Sequence, residues 1–340
     1  MKKRFGALLI ALSLTLCGCM ADEPPLRRTS LVMDTYFSVT DYGDYDYVAI
    51  DGVFDLVKEC ERLFSVTDPE SELSAVNASD GKPVEVGERT YALLEGVLSF
   101  CGRTGGAIDP TVYPITAAWG FTRGEYTIPS DEEIAALLPL VGYRAIKIEG
   151  GAVTLPPGVR LDLGAAAKGY ALEEAALLLK ERRDTAIVLD LGGNLRTIGL
   201  KPDGSLWRTA VAAPDGSGEN VCILELGECA VATSGNYERF FIGDDGERYC
   251  HILDPESGRP VDNGLSSVTV IGGSAFLCDA LSTALFVMGG DRAADFWRES
   301  GDFEMILIGE DGSIRYTEGL RDRFRLTEAY RDAKTEVIGR

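Results

Sequence analysis

The chain has 340 residues, with 33 Lys and Arg against 54 Asp and Glu, a formal charge of -21 and one histidine. At 45% apolar and 26% charged it has a globular composition, long enough for one large or two ordinary domains. Its negative field repels phosphate, which argues against nucleic acid as a partner. The lone histidine excludes multi-histidine zinc sites and HExxH proteases, and makes His251 the one source of imidazole acid–base chemistry.

Met1-Lys2-Lys3-Arg4 and the mainly apolar run from Phe5 to Leu16 read as a signal peptide, too short to span a bilayer permanently. It ends in Leu16-Cys17-Gly18-Cys19, which resembles a bacterial lipobox and makes Cys19 the expected lipidated N-terminus; the alternative is a plain secretory signal cut nearby. Removing residues 1–18 leaves 30 basic against 54 acidic residues, a charge of -24. The expected organisation is a signal peptide over 1–18, a lipidated cysteine and tether over 19–30, and one domain over 31–335. The body would hang from a lipid on the extracytoplasmic face of the cell membrane. Its six cysteines, Cys60, Cys101, Cys222, Cys229, Cys250 and Cys278, match no disulfide scaffold or metal knuckle, and most read as buried thiols.

Along the body, Ile50, Val53, Phe54, Val57, Cys60 and Phe64 form a helical stripe within 47–65. Tyr91, Leu94, Val97, Leu98 and Cys101 mark a second helix that stops at Gly105-Gly106. Ser130-Asp131-Glu132-Glu133 is a capping box opening a third helix through Leu138. Further helices are predicted from about Ala165 to Arg182 and from about Phe276 to Met288. Strand signals lie at Ile187–Leu191, Val268–Ile271 and Met305–Ile308. Asp203-Gly204, Asp245-Gly246 and Asp311-Gly312 each sit between apolar or aromatic runs, the signature of a β-hairpin. Repeated hairpins with intervening helices predict an α+β fold built on antiparallel sheet.

Four segments are too polar or too glycine-rich for core packing alone. In Gly106-Ala107-Ile108-Asp109-Pro110-Thr111, running on to Tyr113-Pro114-Ile115 and Trp119-Gly120-Phe121, two prolines in five residues force an irregular path that either presents Asp109 to a ligand or uses it as a turn cap. Asp162-Leu163-Gly164-Ala165-Ala166-Ala167-Lys168-Gly169 runs through a tight turn into a helix. Either its N-terminus and Lys168 receive a phosphate, or its alanines merely allow close helix packing. Thr233-Ser234-Gly235-Asn236-Tyr237 is followed by His251-Ile252-Leu253-Asp254-Pro255, where the histidine is either structural or catalytic. In Cys278-Asp279-Ala280-Leu281-Ser282-Thr283, Asp279 and Thr283 share one face of an otherwise apolar helix. A carboxylate there is costly unless paired. Asp, Thr and a backbone carbonyl form an all-oxygen set suited to Mg²⁺; the alternative is an acid near a helix N-terminus.

Taken in order, Met33-Asp34-Thr35, Ser71-Glu72-Leu73-Ser74-Ala75-Val76-Asn77, Asp109-Pro110-Thr111, Asp162-Leu163-Gly164 with Ala167-Lys168-Gly169-Tyr170, Thr233-Ser234-Gly235-Asn236-Tyr237, His251-Ile252-Leu253-Asp254-Pro255 and Asp279-Ala280-Leu281-Ser282-Thr283 resemble the ApbE family of FAD:protein FMN transferases. The resemblance covers about residues 31–315 and implies a single T-fold-related domain. It further implies that Met33, Thr67, Ala107, Ile108, Asp109, Asp162, Lys168 and Leu253 line an FAD pocket. By the same resemblance the Ala165 backbone oxygen, Asp279, Ser282 and Thr283 hold Mg²⁺, and His251 is the general base. The implied reaction attaches FMN from FAD to a threonine of a target protein and releases AMP. Implied acceptors are redox membrane-protein subunits of sodium-pumping quinone reductase (Nqr) and Rnf type.

Two positions depart from the family's pattern. Thr67 stands where an aromatic residue is frequent, and Ser282 where many members carry a second acid, which leaves one carboxylate for the metal. Two other activities share these residues: a Mg²⁺-dependent FAD pyrophosphatase, with water replacing the threonine, and a non-catalytic flavin-binding lipoprotein. The match at His251 and Asp279 favours transfer.

Overall fold

The structure, a computed structural model, describes residues 24–43, 45–181 and 186–340. The signal peptide, Cys19 and Arg182 lie outside the described residues. The principal sheet has nine strands: β1 (Leu26–Val32), β2 (Thr35–Asp41), β3 (Ile187–Leu191), β4 (Asn194–Ile198), β5 (Ala230–Gly235), β6 (Leu265–Gly272), β7 (Phe303–Gly309), β8 (Ile314–Thr317) and β9 (Thr335–Ile338). They lie side by side in chain order. Every neighbouring pair is antiparallel except β8 and β9, which are parallel.

Five longer helices complete the frame: α1 (Tyr47–Phe64), α2 (Glu88–Arg103), α3 (Ala167–Lys180), α4 (Ala275–Met288) and α5 (Gly290–Ser300). One sheet face packs against α1, α3, α4 and α5, with Val39, Leu189, Ala232, Val268, Val270, Met305 and Leu307 in the shared core. The alternate residues Val231, Ile271, Ile306, Ile308 and Ile314 point the other way. They meet Val211, Val221 and Leu224 of a second, three-stranded sheet (Trp207–Ala212, Asn220–Leu226, Phe324–Leu326). Because both faces are covered, β6 and β7 are buried along almost their whole length, and β6 carries Ser267 and Thr269 as buried polar residues among its apolar ones. A smaller lobe stands beside this frame, with Ile115, Trp119, Phe121, Ile134 and Leu253 buried together and Phe241 and Tyr249 packed on them.

The α+β class is found as expected, and the predicted helices form close to their expected limits. Asp46 caps α1 by accepting from the Ala49 N–H, and the whole predicted stripe of that helix is buried. Ser130 and Glu133 close the capping box over Asp131–Leu137. In α2 the buried stripe includes Leu93 and Thr90, while Tyr91 and Leu98 are half-buried. The six described cysteines are free thiols, five of them buried.

Three expectations need correction. Residues 26–30, assigned to the tether, belong to β1, because Leu26, Arg28 and Ser30 alternate as the half-buried side of an edge strand; Arg28 lies over the Phe54 ring at 5.0 Å. At the other end β9 extends the fold past residue 335. Asp245-Gly246 and Asp311-Gly312 do turn hairpins. Asp203-Gly204 does not: β4 before it pairs within the principal sheet and Trp207–Ala212 after it within the second, so this turn carries the chain between layers. Among the described residues no helix is long and apolar enough to cross a membrane.

Candidate active site

A cleft of about 1060 Å³ opens between the helix-covered edge of the sheet and the small lobe. Its walls come from the β1–β2 turn, the segment after α1, the loop before Pro110–Val112, the start of α3, the end of β5, the segments 238–239 and 251–255, and α4. Met33 (φ 53°) and Asp34 (φ 57°) make the β1–β2 turn in the left-handed region, the geometry that suits the twist of a tight hairpin. The Met33 N–H donates to Glu61 Oε1 at 2.6 Å, which fixes this turn to α1. The β3–β4 turn presses against it: a Cβ on Gly192 would stand 2.8 Å from Thr35 Cγ2.

At the floor, Asp279 is 5% exposed. Its Oδ2 accepts from the Gly169 N–H at 2.7 Å and its Oδ1 from Asn194 Nδ2 at 2.8 Å. Gly169 permits this, because a Cβ there would meet the Ala275 carbonyl oxygen and Asp279 Cβ, each at 2.4 Å. One of the first N–H groups of α3 is therefore taken by Asp279 and is not open to a phosphate. Burial raises the Asp279 pKa, while the charge of Lys168 and these two donors oppose the rise. A buried carboxylate so placed calls for a cation.

Thr283, one turn along α4, and Ala165 line the same cleft, and together with Asp279 they offer oxygen donors that fit a hard cation. Among the described residues no three His, Cys, Asp or Glu side chains cluster to hold a metal, so neutral oxygens must complete any such site. Ser282 is not among the cleft-lining residues. It is 0% exposed, and its Oγ donates to the Asp279 carbonyl at 2.9 Å and lies 2.8 Å from Ser234 Oγ. The bond back along the helix turns this short side chain away from the cleft.

His251 is half-buried and lines the same cleft. Its Nδ1 is 3.1 Å from the Arg239 carbonyl oxygen, and its backbone N–H donates to the same oxygen at 2.9 Å. A carbonyl only accepts, so Nδ1 carries the proton and Nε2 keeps its lone pair. Burial, then the charges of Arg239 and Lys168, push the imidazole down to about 4, so it is neutral at physiological pH. Lys168, in the first turn of α3, lines the cleft, and among the described residues it has no carboxylate within 4 Å.

The other expected positions divide. Met33, Thr67, Ile108, Asp109, Asp162 and Leu253 all line the cleft. Ala107 does not; it is packed in the main core. Both carboxylate oxygens of Asp109 are held internally, Oδ1 by the Thr111 N–H at 2.9 Å and Oδ2 by the Tyr143 N–H at 2.7 Å, so its side chain caps the Pro110–Val112 turn. Asp162 Oδ1 accepts from the Gly164 N–H at 2.7 Å, and burial raises its pKa against the charge of Arg239. Among the cleft residues missed by sequence reasoning are Glu238 and Arg239. They directly follow Thr233-Ser234-Gly235-Asn236-Tyr237, a segment already singled out, and that adjacency is the signal that could have found them.

The family model of the ApbE family matches residues 33–307. The chain belongs to the ApbE family. Among its relatives, the FAD:protein FMN transferase of Treponema pallidum is 31% identical over 96% of this chain and 96% of its own length. That of Vibrio cholerae is 33% identical over 91% and 96%. Among solved structures, the ApbE protein of Thermotoga maritima superposes with a TM-score of 0.83 at 33% identity, over 88% of this chain and 99% of that one. The flavin transferase ApbE of Vibrio cholerae gives 0.75 at 28% identity, over 91% and 100%. The ApbE match begins in the β1–β2 turn and ends in β7, so it takes in every wall of the cleft.

Proposed function

We propose that this chain is an FAD:protein FMN transferase that moves FMN from FAD to a threonine of an acceptor protein. The observation that carries the reading is the presence, in one cleft, of a neutral His251 with a free Nε2 and of a floor that combines Lys168 with the buried Asp279. In the proposed reaction the threonine Oγ forms a bond to the phosphorus nearest riboflavin. The bond from that phosphorus to the bridging oxygen breaks, and AMP leaves with the electron pair. His251 Nε2 takes the hydroxyl proton. Lys168 offsets the charge that builds on the phosphoryl oxygens, which a chain of charge -21 would otherwise repel.

Asp279, Thr283 and the Ala165 carbonyl would hold Mg²⁺, which when bound supplies positive charge to the diphosphate. The lipobox ending at Cys19 supports a body tethered to the extracytoplasmic face of the membrane. The acceptors are membrane redox subunits of Nqr or Rnf type. The test is incubation with FAD, Mg²⁺ and a candidate acceptor, followed by mass spectrometry. FMN on an acceptor threonine is the expected result. Flavin that appears only in solution as FMN, never on protein, would make the enzyme a pyrophosphatase, and retained flavin without turnover would make it a binding protein.

A further inference from the structure

We infer that Arg239 is a positioning residue of this cleft, its backbone orienting the His251 imidazole while its guanidinium locks the adjoining wall against that ring. The inference rests on the reading of His251 as the base, and its geometry is a closed triangle. The Arg239 carbonyl accepts from both the backbone N–H and Nδ1 of His251, at 2.9 and 3.1 Å. Arg239 Nη2 donates to the Phe121 carbonyl at 3.0 Å. The Phe121 ring in turn stands edge-on to the imidazole, with centroids 6.4 Å apart. The imidazole cannot rotate without breaking the first side, and the wall beside it cannot shift without breaking the second.

Arg239 also lines the cleft, and among the described residues it forms no ion pair within 4 Å. A guanidinium carries five N–H donors, so donors beyond the one on Phe121 are available to an anionic ligand. The charged groups acting on the imidazole are Arg239 and, from α3, Lys168; the carboxylates of Glu238 and Asp162 line the same cleft. Both cations add to the larger effect of burial in disfavouring imidazolium, while the Arg239 carbonyl favours it, so what Arg239 fixes is the tautomer and the orientation of the base.

The chain contains a single histidine, so in tag-free protein an NMR titration of histidine reports His251 alone. The experiment compares the wild type with Arg239→Met, Arg239→Lys and, as a control, Arg259→Met, whose guanidinium pairs with Asp131 and which neither lines the cleft nor acts on the imidazole. Arg239→Met should move the titration midpoint up toward the ordinary histidine value of about 6.5, raise KM for FAD, and lower kcat about 10²-fold, as a misplaced base does. Arg239→Lys keeps the charge and not the fork, so its midpoint should stay low while kcat falls. Arg259→Met should match the wild type in both. A midpoint and kcat in Arg239→Met equal to those of the control overturn the inference, and should that variant not fold, wild-type kcat in Arg239→Lys does so. Because the titration reads the imidazole whether or not FMN is transferred, failure of the transferase reading shows up separately, as wild-type protein that flavinylates no acceptor.

Discussion

Replacing Gly169 by alanine tests the construction of the cleft floor in one atom. The added Cβ would stand 2.4 Å from the Ala275 carbonyl oxygen and 2.4 Å from Asp279 Cβ, and neither is the far end of a flexible side chain. Ordinary contact needs about 3.5 Å, so α3 and α4 must separate by roughly 1 Å. Overpacking of this kind costs about 1–3 kcal/mol. The separation also stretches the 2.7 Å bond from the Gly169 N–H to Asp279 Oδ2, and a hydrogen bond to a charged group contributes about 1.5–3 kcal/mol. The two losses overlap, which gives a destabilisation of roughly 2–5 kcal/mol. Urea denaturation of the variant reads this directly, and binding of Mn²⁺ as a spectroscopic substitute for Mg²⁺ reads the displaced carboxylate. Gly102→Ala is the control, since a Cβ there meets nothing within 4 Å, and near the end of α2 it should be neutral or stabilising by up to about 1 kcal/mol. A Gly169→Ala protein with the wild-type urea midpoint and wild-type Mn²⁺ affinity would refute the argument that this glycine sets the distance between the two helices.

Further outcomes follow from the same site. His251→Ala should lower FMN transfer by about 10²–10⁴-fold while equilibrium dialysis shows FAD still bound; loss of binding in step with activity would mean that the imidazole serves only to hold the cleft together. The low imidazole pKa, about 4, predicts that kcat/KM stays level down through pH 6, where an ordinary histidine with a pKa of about 6.5 would already be mostly protonated; an acidic limb near 6.5 would contradict it. The same depression means that neutral His251 contributes stability in full above the unfolded value of about 6.5 and loses it as pH falls through about 4. Urea midpoints of wild type and His251→Asn should therefore converge on acidification through this window. Asp279→Asn, which keeps one oxygen acceptor and removes the charge, should abolish saturable Mn²⁺ binding in calorimetry; unchanged binding would remove Asp279 from the proposed cation site. Burial pushes the thiols up, Cys60 to about 12, so native protein should react with a thiol reagent far more slowly than protein unfolded in guanidinium, and rapid native labelling of several body cysteines would contradict their placement.

Legibility in the sequence followed how local the physics was. The α1 stripe and the Ser130 capping box depend on residues within a few turns of one another, and both were readable. The edge strand β1 was not. Its inward side is carried by Leu26, Arg28 and Ser30, and an arginine over Phe54 looks polar until its ring partner is known. The Asp203-Gly204 pair makes a tight turn as its residues dictate, but whether the flanking strands pair depends on which sheet each joins. In the cleft, helical spacing put Asp279 and Thr283 on one face correctly. Ser282 shared the motif and left the wall because its hydroxyl found the Asp279 carbonyl first. Asp109 carried the right residue type for a ligand contact, yet its oxygens satisfy the N–H groups of Thr111 and Tyr143. Glu238 and Arg239 escaped notice because charged residues beside a hairpin read as solvated surface, and the contacts of Arg239 are with Phe121 and His251, which lie elsewhere in the chain.

The principal sheet runs in the order in which it is written. Each stretch of chain that leaves it therefore comes back to pair with the strand it departed from, like a detour that rejoins the same road. The detour between β2 and β3 brings Thr67, Asp162 and Lys168, that between β5 and β6 brings Arg239 and His251, and that between β6 and β7 brings Asp279. Such detours can lengthen, shorten or exchange side chains without altering any register in the sheet beneath them. The side chains that line the cleft can therefore change while the strand pairing of the principal sheet stays as it is.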